Sequence, residues 1–334
     1  MRRDTALMAT RRFVLGSALA AVAGSGAARA ADKWEAYTYL PNATQAGVRG
    51  LQALFERLRT ETSGGLNISL HLGGSLPISA TSIGPSVADN IIQLGTDGFF
   101  SGTVPIAGLL RLPMLLRSTE DFAKAEAIAA PYIAAAYLKK GIVALGEHTY
   151  PLQTIWSRRK LESMADVKGQ KLRVTSVEMG EFIKKFGGIP LTMGTPDVPA
   201  ALDRGVIDGV LTATSGGGLT WRDLLKYNLR FPVQFANSVV VVNKGAFDAL
   251  PVASQELLRT RVPEANTWIT ATMTVEEVQE TDKLAKAGLV VTQASPDEVA
   301  DAEARMKPYW AEWAKTRGPQ AAEALGQIRE AIGR

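Results

Sequence analysis

The sequence predicts an α/β protein of two lobes, in which mixed or parallel sheets are flanked by helices and the C-terminal part is helical. Two observations lead to this fold class. Strand and helix patterns alternate in βαβα order in the first half of the chain, and the alternation restarts near residue 142. From Ser254 onward the pattern is helical, apart from a short strand-like break at residues 289–292. A chain of this length is large enough to form two lobes.

The first half contains three strand patterns and two helix patterns. The longer helix pattern has its apolar residues on one face, which is typical of a helix that covers a sheet. Strands are predicted at residues 34–39, 66–70 and 91–100, and helices at residues 45–60 and 86–92. This order predicts a mostly parallel sheet covered by helices.

The second half repeats the alternation. Strands are predicted at residues 142–146, 152–156, 171–174 and 239–243, and helices at residues 178–186 and 200–204. Both helices are followed by glycine, a common residue at helix C-termini. A third glycine cluster, residues 216–218, lacks the spacing of a phosphate-binding loop and indicates a flexible loop or a close backbone approach.

The first thirty residues are typical of a bacterial export signal. Residues 10–15 contain a twin-arginine pattern, and an apolar stretch follows that is too short to span a bilayer. Ala28-Arg29-Ala30 fits the A-x-A cleavage rule. We therefore expect cleavage near Ala30 by way of either the Tat or the Sec route, and a periplasmic mature protein. An uncleaved N-terminal anchor is the alternative.

Composition excludes several classes of function. Of the 37 basic and 33 acidic residues, five and one lie in residues 1–30, which leaves 32 of each and no support for nucleic-acid binding. The chain has no cysteine, and its two histidines, His71 and His148, lack metal-ligand spacing. We expect neither a metal nor another cofactor.

Enzyme motifs are weak. Residues 157–160 match S-x-x-K, but the K-T-G motif that should accompany it is absent, as are G-x-S-x-G, the P-loop and G-x-G-x-x-G. Two histidines without a matching acid and serine pattern offer little acid–base chemistry. The sequence therefore favours a non-enzyme, although an exported hydrolase remains an alternative.

One arginine stands out. Arg173 lies in the apolar strand pattern of residues 171–174, where a buried guanidinium needs an anionic partner. That partner could be a side chain such as Asp166 or Glu178, or it could be a ligand.

The surroundings of Arg173 resemble a known family. Residues 112–115 (LPML), 166–174 (DVKGQKLRV), 186–193 (FGGIPLTM), 200–209 (AALDRGVIDG) and 242–251 (VNKGAFDALP) are similar, in this order, to motifs of the substrate-binding proteins of tripartite ATP-independent periplasmic (TRAP) transporters. The resemblance covers nearly the whole mature chain.

This resemblance implies a two-lobed periplasmic binding protein with a ligand cleft between the lobes. It implies that Arg173 binds the carboxylate of an organic acid, that the partners are the small and large membrane subunits of a TRAP permease, and that the protein is a monomer. Residues 31–150 with about 238–280 would form lobe I, and residues 151–237 with about 281–334 lobe II. Hinges are expected near Tyr150 and Asn237.

The departures from the family bear on the ligand. Many members carry a second arginine twenty residues before the first, where this chain has Gln153, and an asparagine where this chain has Thr212. Aromatic side chains were expected to cover an apolar ligand body, namely Tyr39, Phe99, Trp156 and Phe182. Asp97, Thr175, Thr195 and Asn237 complete the expected contacts. Together they predict a monocarboxylate, aromatic or branched. A receptor of another periplasmic uptake or sensing system is the remaining alternative.

Overall fold

The computed structural model describes residues 32–334, so the predicted export signal lies outside the described residues. The described chain contains nine strands: β1 (Asp32–Thr38), β2 (Leu66–His71), β3 (Leu94–Asp97), β4 (Ile142–Ser157), β5 (Lys171–Val174), β6 (Ile189–Thr192), β7 (Gly209–Thr212), β8 (Tyr227–Asn243) and β9 (Val290–Gln293). They form one mixed sheet in the order β2-β1-β3-β8-β4-β7-β5-β6, with β9 paired to β8.

Helices flank this sheet and fill the C-terminal part, which confirms the predicted fold class. Within residues 32–334 they are α1 (Ala46–Glu61), α2 (Ile83–Ala88), α3 (Thr119–Leu138), α4 (Val177–Lys185), α5 (Val198–Asp203), α6 (Lys244–Ala249), α7 (Val252–Lys286), α8 (Pro296–Arg317) and α9 (Pro319–Ala331). A 3₁₀ helix spans Pro105–Arg111, and a π-helical turn spans Thr214–Gly218.

Local sequence explains where these elements begin and which face they bury. The apolar face of α1 is buried as its spacing predicts, at Val48, Leu51, Leu54, Phe55 and Leu58. Helix α4 begins after Ser176, whose hydroxyl accepts a hydrogen bond from the Met179 amide, and α8 begins with a Ser295–Glu298 capping box.

Two long antiparallel strands, β4 and β8, join the two halves of the sheet. They pair from Ile142 opposite Asn243 to Ser157 opposite Tyr227. Strands β1, β2 and β3 extend the sheet at the C-terminal end of β8, and β5, β6 and β7 extend it at the C-terminal end of β4. Register shifts flank Gln153, halfway along the pair.

The strand predictions at residues 142–146 and 152–156 were wrong in one respect, because the structure merges them into β4. Pro151 interrupts the pattern, but it lies where the register shifts and where a missing backbone N–H is tolerated. The strand predicted at residues 91–100 is confined to Leu94–Asp97. The boundaries of the two lobes stay a prediction.

The C-terminal helices pack on both halves of the sheet. Helix α7 runs beside β4, and Thr270 accepts a hydrogen bond from the Thr149 amide at 3.0 Å. Trp310 and Trp313 of α8 are buried, and Trp310 Nε1 donates to the Pro113 carbonyl at 2.8 Å. Within the described part of the chain, no helix is both long and apolar enough to cross a membrane.

Candidate solute-binding site

A cavity lies beside the middle of β4 and β8. Its volume is about 50 Å³. Since one water needs roughly 10–15 Å³ on this measure, the cavity holds a small molecule and no more. It is lined by Tyr39, Leu40, Gln45, Gly98, Phe99, Arg111, Tyr150, Gln153, Arg173, Thr175, Thr195, Thr212, Gly216, Gly217, Trp221, Ala236 and Asn237.

Arg173 projects from β5 into this cavity and is 3% exposed. Its Nε donates to the Met193 carbonyl at 3.1 Å, and Nη2 lies 3.5 Å from Oγ1 of Thr195. Among residues 32–334, no carboxylate lies within ion-pair distance, and Asp197 acts only from further away. Burial therefore lowers the pKa of Arg173 to about 10.

Neither side chain proposed as a structural partner of Arg173 binds it. Asp166 accepts hydrogen bonds from the backbone amides of Glu162 and Ser163. Glu178 accepts from Trp313 at 2.8 Å and pairs with Arg317 at 3.2 Å. The guanidinium of Arg173 thus keeps Nη1 and most of Nη2 free for a carboxylate.

A second buried arginine, Arg111, also lines the cavity, and the sequence analysis missed it. It is 1% exposed and ends the 3₁₀ helix before the Leu112-Pro113 motif. Its Nε donates to Asn237 Oδ1 at 2.8 Å, Nη1 donates to the Gly98 carbonyl at 2.9 Å, and Nη2 donates to the Asn237 carbonyl. All three nitrogens are therefore engaged by the protein itself.

The signal for Arg111 was present in the sequence. It stands in an apolar run, Leu109-Leu110-Arg111-Leu112, just as Arg173 does. The reasoning that an arginine among apolar residues needs a partner applies equally to both.

Aromatic side chains form the wall around Arg173. Cζ of Arg173 lies 5.7 Å from the ring centroid of Phe99 and 5.5 Å from that of Trp221, within the range of cation–π attraction. The Tyr39 ring packs edge-on against Phe99 at 5.3 Å, and its hydroxyl bonds those of Tyr150 and Ser238. The sequence analysis did not predict that Trp221 and Tyr150 line the cavity.

The glycine cluster predicted as a close approach makes room for this wall. A Cβ at Gly217 would lie 2.1 Å from Cζ3 of Trp221, and one at Gly218 would lie 2.5 Å from Cζ2 of Trp156. The Thr214–Gly218 turn can therefore pass these two indole rings only with glycine at both positions.

Polar groups complete the lining. Gln153 is buried, its Nε2 donates to the Pro151 carbonyl at 2.8 Å, and Oε1 accepts no hydrogen bond from the described residues. The Thr212 hydroxyl accepts from the Gly217 amide at 2.9 Å. Thr175 and Thr195 line the cavity as expected. Gln153 Oε1 is thus the acceptor that a ligand could use.

Three predicted residues lie outside the cavity lining. Trp156 is fully buried in a cluster beside the Thr214–Gly218 turn, where Nε1 donates to Thr154 and to the Thr212 carbonyl. Asp97 accepts hydrogen bonds from the Tyr137 hydroxyl and the Phe99 amide, so it holds the backbone that carries Phe99. Phe182 packs on Phe231 in the core. These three residues therefore pack outside the cavity lining and do not face the cavity.

Asn237 lines the cavity, but its side chain is occupied. Oδ1 accepts from Arg111, and Nδ2 donates to Glu147 at 2.5 Å. Its amide therefore positions Arg111 and leaves little for a ligand. Among residues 32–334, no group of three acidic or histidine side chains could hold a metal ion.

The family model for bacterial extracellular solute-binding proteins, family 7 (DctP), matches residues 39–316. The chain belongs to this family. The matched range includes every residue that lines the cavity.

Relatives of this family 7 protein include named receptors. The 2,3-diketo-L-gulonate-binding periplasmic protein YiaO of Escherichia coli (strain K12) is 24% identical over 255 residues, which is 73% of this chain and 76% of that protein. The structure of DctP6, a Bordetella pertussis extracytoplasmic solute receptor binding pyroglutamic acid, has a TM-score of 0.83 and 24% identity and covers 90% of this chain and 100% of its own.

A third relative extends the comparison. The TRAP periplasmic solute-binding protein of Desulfovibrio salexigens with bound orotic acid has a TM-score of 0.83 and 18% identity, and covers 90% of this chain and 99% of its own. The family consists of bacterial extracellular solute-binding proteins, and this family 7 protein is one of them.

Proposed function

We propose that this family 7 protein is a receptor for a compact monocarboxylate, which it binds through an arginine–carboxylate pair at Arg173. The observation that carries the proposal is a buried guanidinium without an acidic partner among the described residues, facing a cavity of ligand size. A buried cation is costly unless it is paired, and a ligand carboxylate supplies the pair with two parallel hydrogen bonds.

The cavity supports one carboxylate rather than two. Arg111 is the other buried cation, but its three nitrogens already donate to Asn237 and Gly98. Tyr39, Glu178, Glu147 and Asp97 also surround it and act on its charge. A second ligand carboxylate would find no free cation, and burying it unpaired costs several kcal/mol.

Size and hydrogen bonding narrow the ligand further. A cavity volume of about 50 Å³ favours a small acid over a long sugar acid. Gln153 Oε1 offers an acceptor for a ligand N–H or O–H, and Phe99 and Trp221 offer apolar faces. Pyroglutamic acid and orotic acid, the ligands of the two related structures, are ring compounds with one carboxylate and ring N–H groups. We propose a ligand of this chemical class.

The setting of the receptor follows from its family. We propose that the signal is cleaved near Ala30, that the mature protein acts as a monomer in the periplasm, and that it delivers the acid to the small and large subunits of a TRAP permease. The two halves of the sheet correspond in this proposal to lobes that close on the ligand. The register shifts around Gln153 support a hinge between Tyr150 and Asn237.

Calorimetry tests the carboxylate pair. Pyroglutamate, orotate, succinate and malate are titrated into wild type, Arg173→Ala and Arg173→Lys. Each charge-assisted hydrogen bond contributes about 1.5–3 kcal/mol, so Arg173→Ala should weaken binding of the best monocarboxylate at least about a hundredfold. Arg173→Lys should lose most of this affinity too, because lysine lacks the planar fork.

Arg222→Ala is the matched control, because this exposed arginine lies outside the cavity lining and contacts the Leu219 carbonyl and Asp223. It should bind as wild type does. Unchanged affinity in a folded Arg173→Ala protein would refute the pair. Tight binding of succinate or malate with both monocarboxylates inert would refute the ligand class.

A further inference from the structure

A second cavity lies between α3, β4 and α7. Its volume is about 450 Å³, and none of its lining residues lines the solute cavity. Glu126 reaches it from α3, Glu147 from β4 and Asn266 from α7, and the rings of Phe122 and Phe235 form its apolar side. Nothing in the proposed receptor function uses this space.

Two polar groups that line this cavity lack hydrogen-bond partners within residues 32–334. Asn266 is 3% exposed; its Oδ1 contacts Nδ1 of His148 at 3.3 Å, and its Nδ2 is buried without a partner. Glu147 uses Oε2 for Asn237, but Oε1 is also buried without a partner. Such groups are few in native proteins, and each costs about 1–3 kcal/mol when left unpaired.

A backbone irregularity directs Glu147 into this cavity. The β4–β8 register shifts between Ala144 and Gly146, and Gly146 has a φ of +128°. A bulge of this kind re-aims the side chain that follows it, and the next residue is Glu147. A Cβ at Gly146 would also lie 3.2 Å from Nδ2 of Asn266. The bulge therefore brings the two unpaired groups toward one space.

The ionisable side chains that line the cavity are acidic. Glu126 and Glu147 line it without any lysine or arginine, and burial, reinforced by the charge of Glu126, raises the pKa of Glu147 to about 8. Hydrogen bonds connect Arg111 to Glu147 by way of the Asn237 side chain. On the α7 side stand Asn266, Thr267 and Thr270, which carry no charge, and the pKa of His148, lowered to about 4 by burial, keeps that ring neutral.

These features select an organic cation rather than a metal ion. A hard metal ion needs several oxygen ligands, whereas two carboxylates here share the cavity with two phenyl rings. A protonated amine would donate to Glu147 Oε1, and its single positive charge would offset that of the ionised Glu147 carboxylate beside Glu126. An oxygen on the same molecule would accept from Asn266 Nδ2, and the carbon chain would lie on Phe122 and Phe235.

We propose that this cavity is a second ligand site, which binds a protonated amino alcohol through Glu147 and Asn266. Ethanolamine is the simplest probe. At neutral pH, Glu147 is mostly protonated in the empty site and must ionise to pair with the cation, so binding should release a proton.

The test is calorimetric titration of ethanolamine into the mature protein in two buffers of different ionisation enthalpy. We expect saturable binding with a Kd in the millimolar range, which a ligand of this size can reach, and a proton release that Glu147→Gln abolishes. Glu147→Gln should weaken binding at least about tenfold. Propanol, which lacks the charge, should not bind.

Two matched variants separate the cavity from the rest of the surface. Ala271 lies at the exposed edge of the cavity on α7, so Ala271→Phe should fill the space and abolish binding without disturbing the fold. Ala253, exposed near the start of the same helix, gives Ala253→Phe as the control, which should bind as wild type does. Equal binding by wild type, Glu147→Gln and Ala271→Phe would overturn the proposal, as would the absence of saturation or equal binding of propanol.

Discussion

Three buried ionisable side chains of this protein have three different environments. Arg173 has no protein counter-charge within ion-pair distance among the described residues, whereas Arg111 is held by three backbone and amide oxygens. Glu147 is stabilised in its neutral form, with its pKa raised to about 8 by burial. A charge that lacks a partner, rather than burial alone, is therefore what supports Arg173 as the proposed ligand-binding residue.

Glu147 should make stability depend on pH. Its pKa is higher in the folded state than the ordinary value of 4.5, so the folded protein binds the proton more tightly and loses stability as pH rises toward about 8. Glu147→Gln removes this titration. The variant should match wild type near about pH 5 and exceed it by roughly 2–4 kcal/mol near about pH 8.

Urea denaturation of both proteins at the two pH values measures this difference. Asp97, whose pKa burial raises to about 6, contributes in the same direction but is present in both proteins and cancels. A stability difference that stays constant with pH would show that Glu147 is ionised throughout.

Sequence reasoning identified several side chains that line the cavity, and their roles toward a ligand stay a prediction. Arg173, Gln153 and Thr212 were found because their positions match motifs of the family that the sequence resembles. It failed for Trp221 and Tyr150, which reach the cavity only because distant segments are brought together. Trp156 shows the reverse error, because alternation along a strand does not reveal which face meets the ligand.

Among the elements, the Thr214–Gly218 turn has the tightest packing around the site. The backbone of this turn lies directly against the rings of Trp221 and Trp156, and the Gly217 amide donates to Thr212. The turn thus connects the aromatic wall to the polar side of the cavity. Any added side-chain atom must displace an indole ring.

Gly217→Ala should therefore weaken binding of the acid and also destabilise the fold. Its Cβ would lie 2.1 Å from Trp221, so the ring must move from its place over Arg173. We expect at least about a tenfold increase in Kd and a destabilisation of about 1–3 kcal/mol. Calorimetry and thermal unfolding measure the two effects.

Gly326→Ala in α9 is the matched control, since a Cβ there meets no atom within 4 Å. It should bind normally and be slightly more stable, because alanine favours a helix over glycine. Normal binding by Gly217→Ala would mean that Trp221 does not contact the ligand.

Element types were predictable, whereas their continuity was not. The 3.6-residue spacing of apolar residues identified α1, and glycines marked the ends of α4 and α5. The merging of two predicted strands into β4 depends on pairing with β8, whose partner residues lie 70 or more positions further along the chain. Local pattern carries no information on such distant pairing.

At the scale of the whole molecule, segments next to the two halves of the sheet approach each other closely. A Cβ at Gly194, which follows β6, would lie 3.6 Å from the Cβ of Ala80, which precedes α2. Gln45 Nε2 also reaches the Gly216 carbonyl at 3.4 Å. These contacts exist only while the proposed lobes are closed.

A disulfide can therefore test closure. The chain has no cysteine, and the spacing of Ala80 and Gly194 suits a bridge, so Ala80→Cys with Gly194→Cys introduces a single pair. Bridge formation should be faster with the bound acid than without it, and the oxidised protein should release the acid at least about tenfold more slowly. Each single-cysteine variant serves as a control. Oxidation at the same rate with and without ligand would argue against closure.

Because the charge of Arg173 is unpaired, the conformation of the receptor should depend on whether an acid is bound. An empty receptor that shuts must enclose a bare cation, whereas a receptor that holds an acid does not, so occupancy and closure are thermodynamically linked. A neutral molecule of the same shape would fill the cavity but would not pair with the guanidinium, so the closed conformation would stay sparsely populated. A membrane partner that recognises only the closed conformation would thus select receptors that hold an acid, without contacting the acid itself.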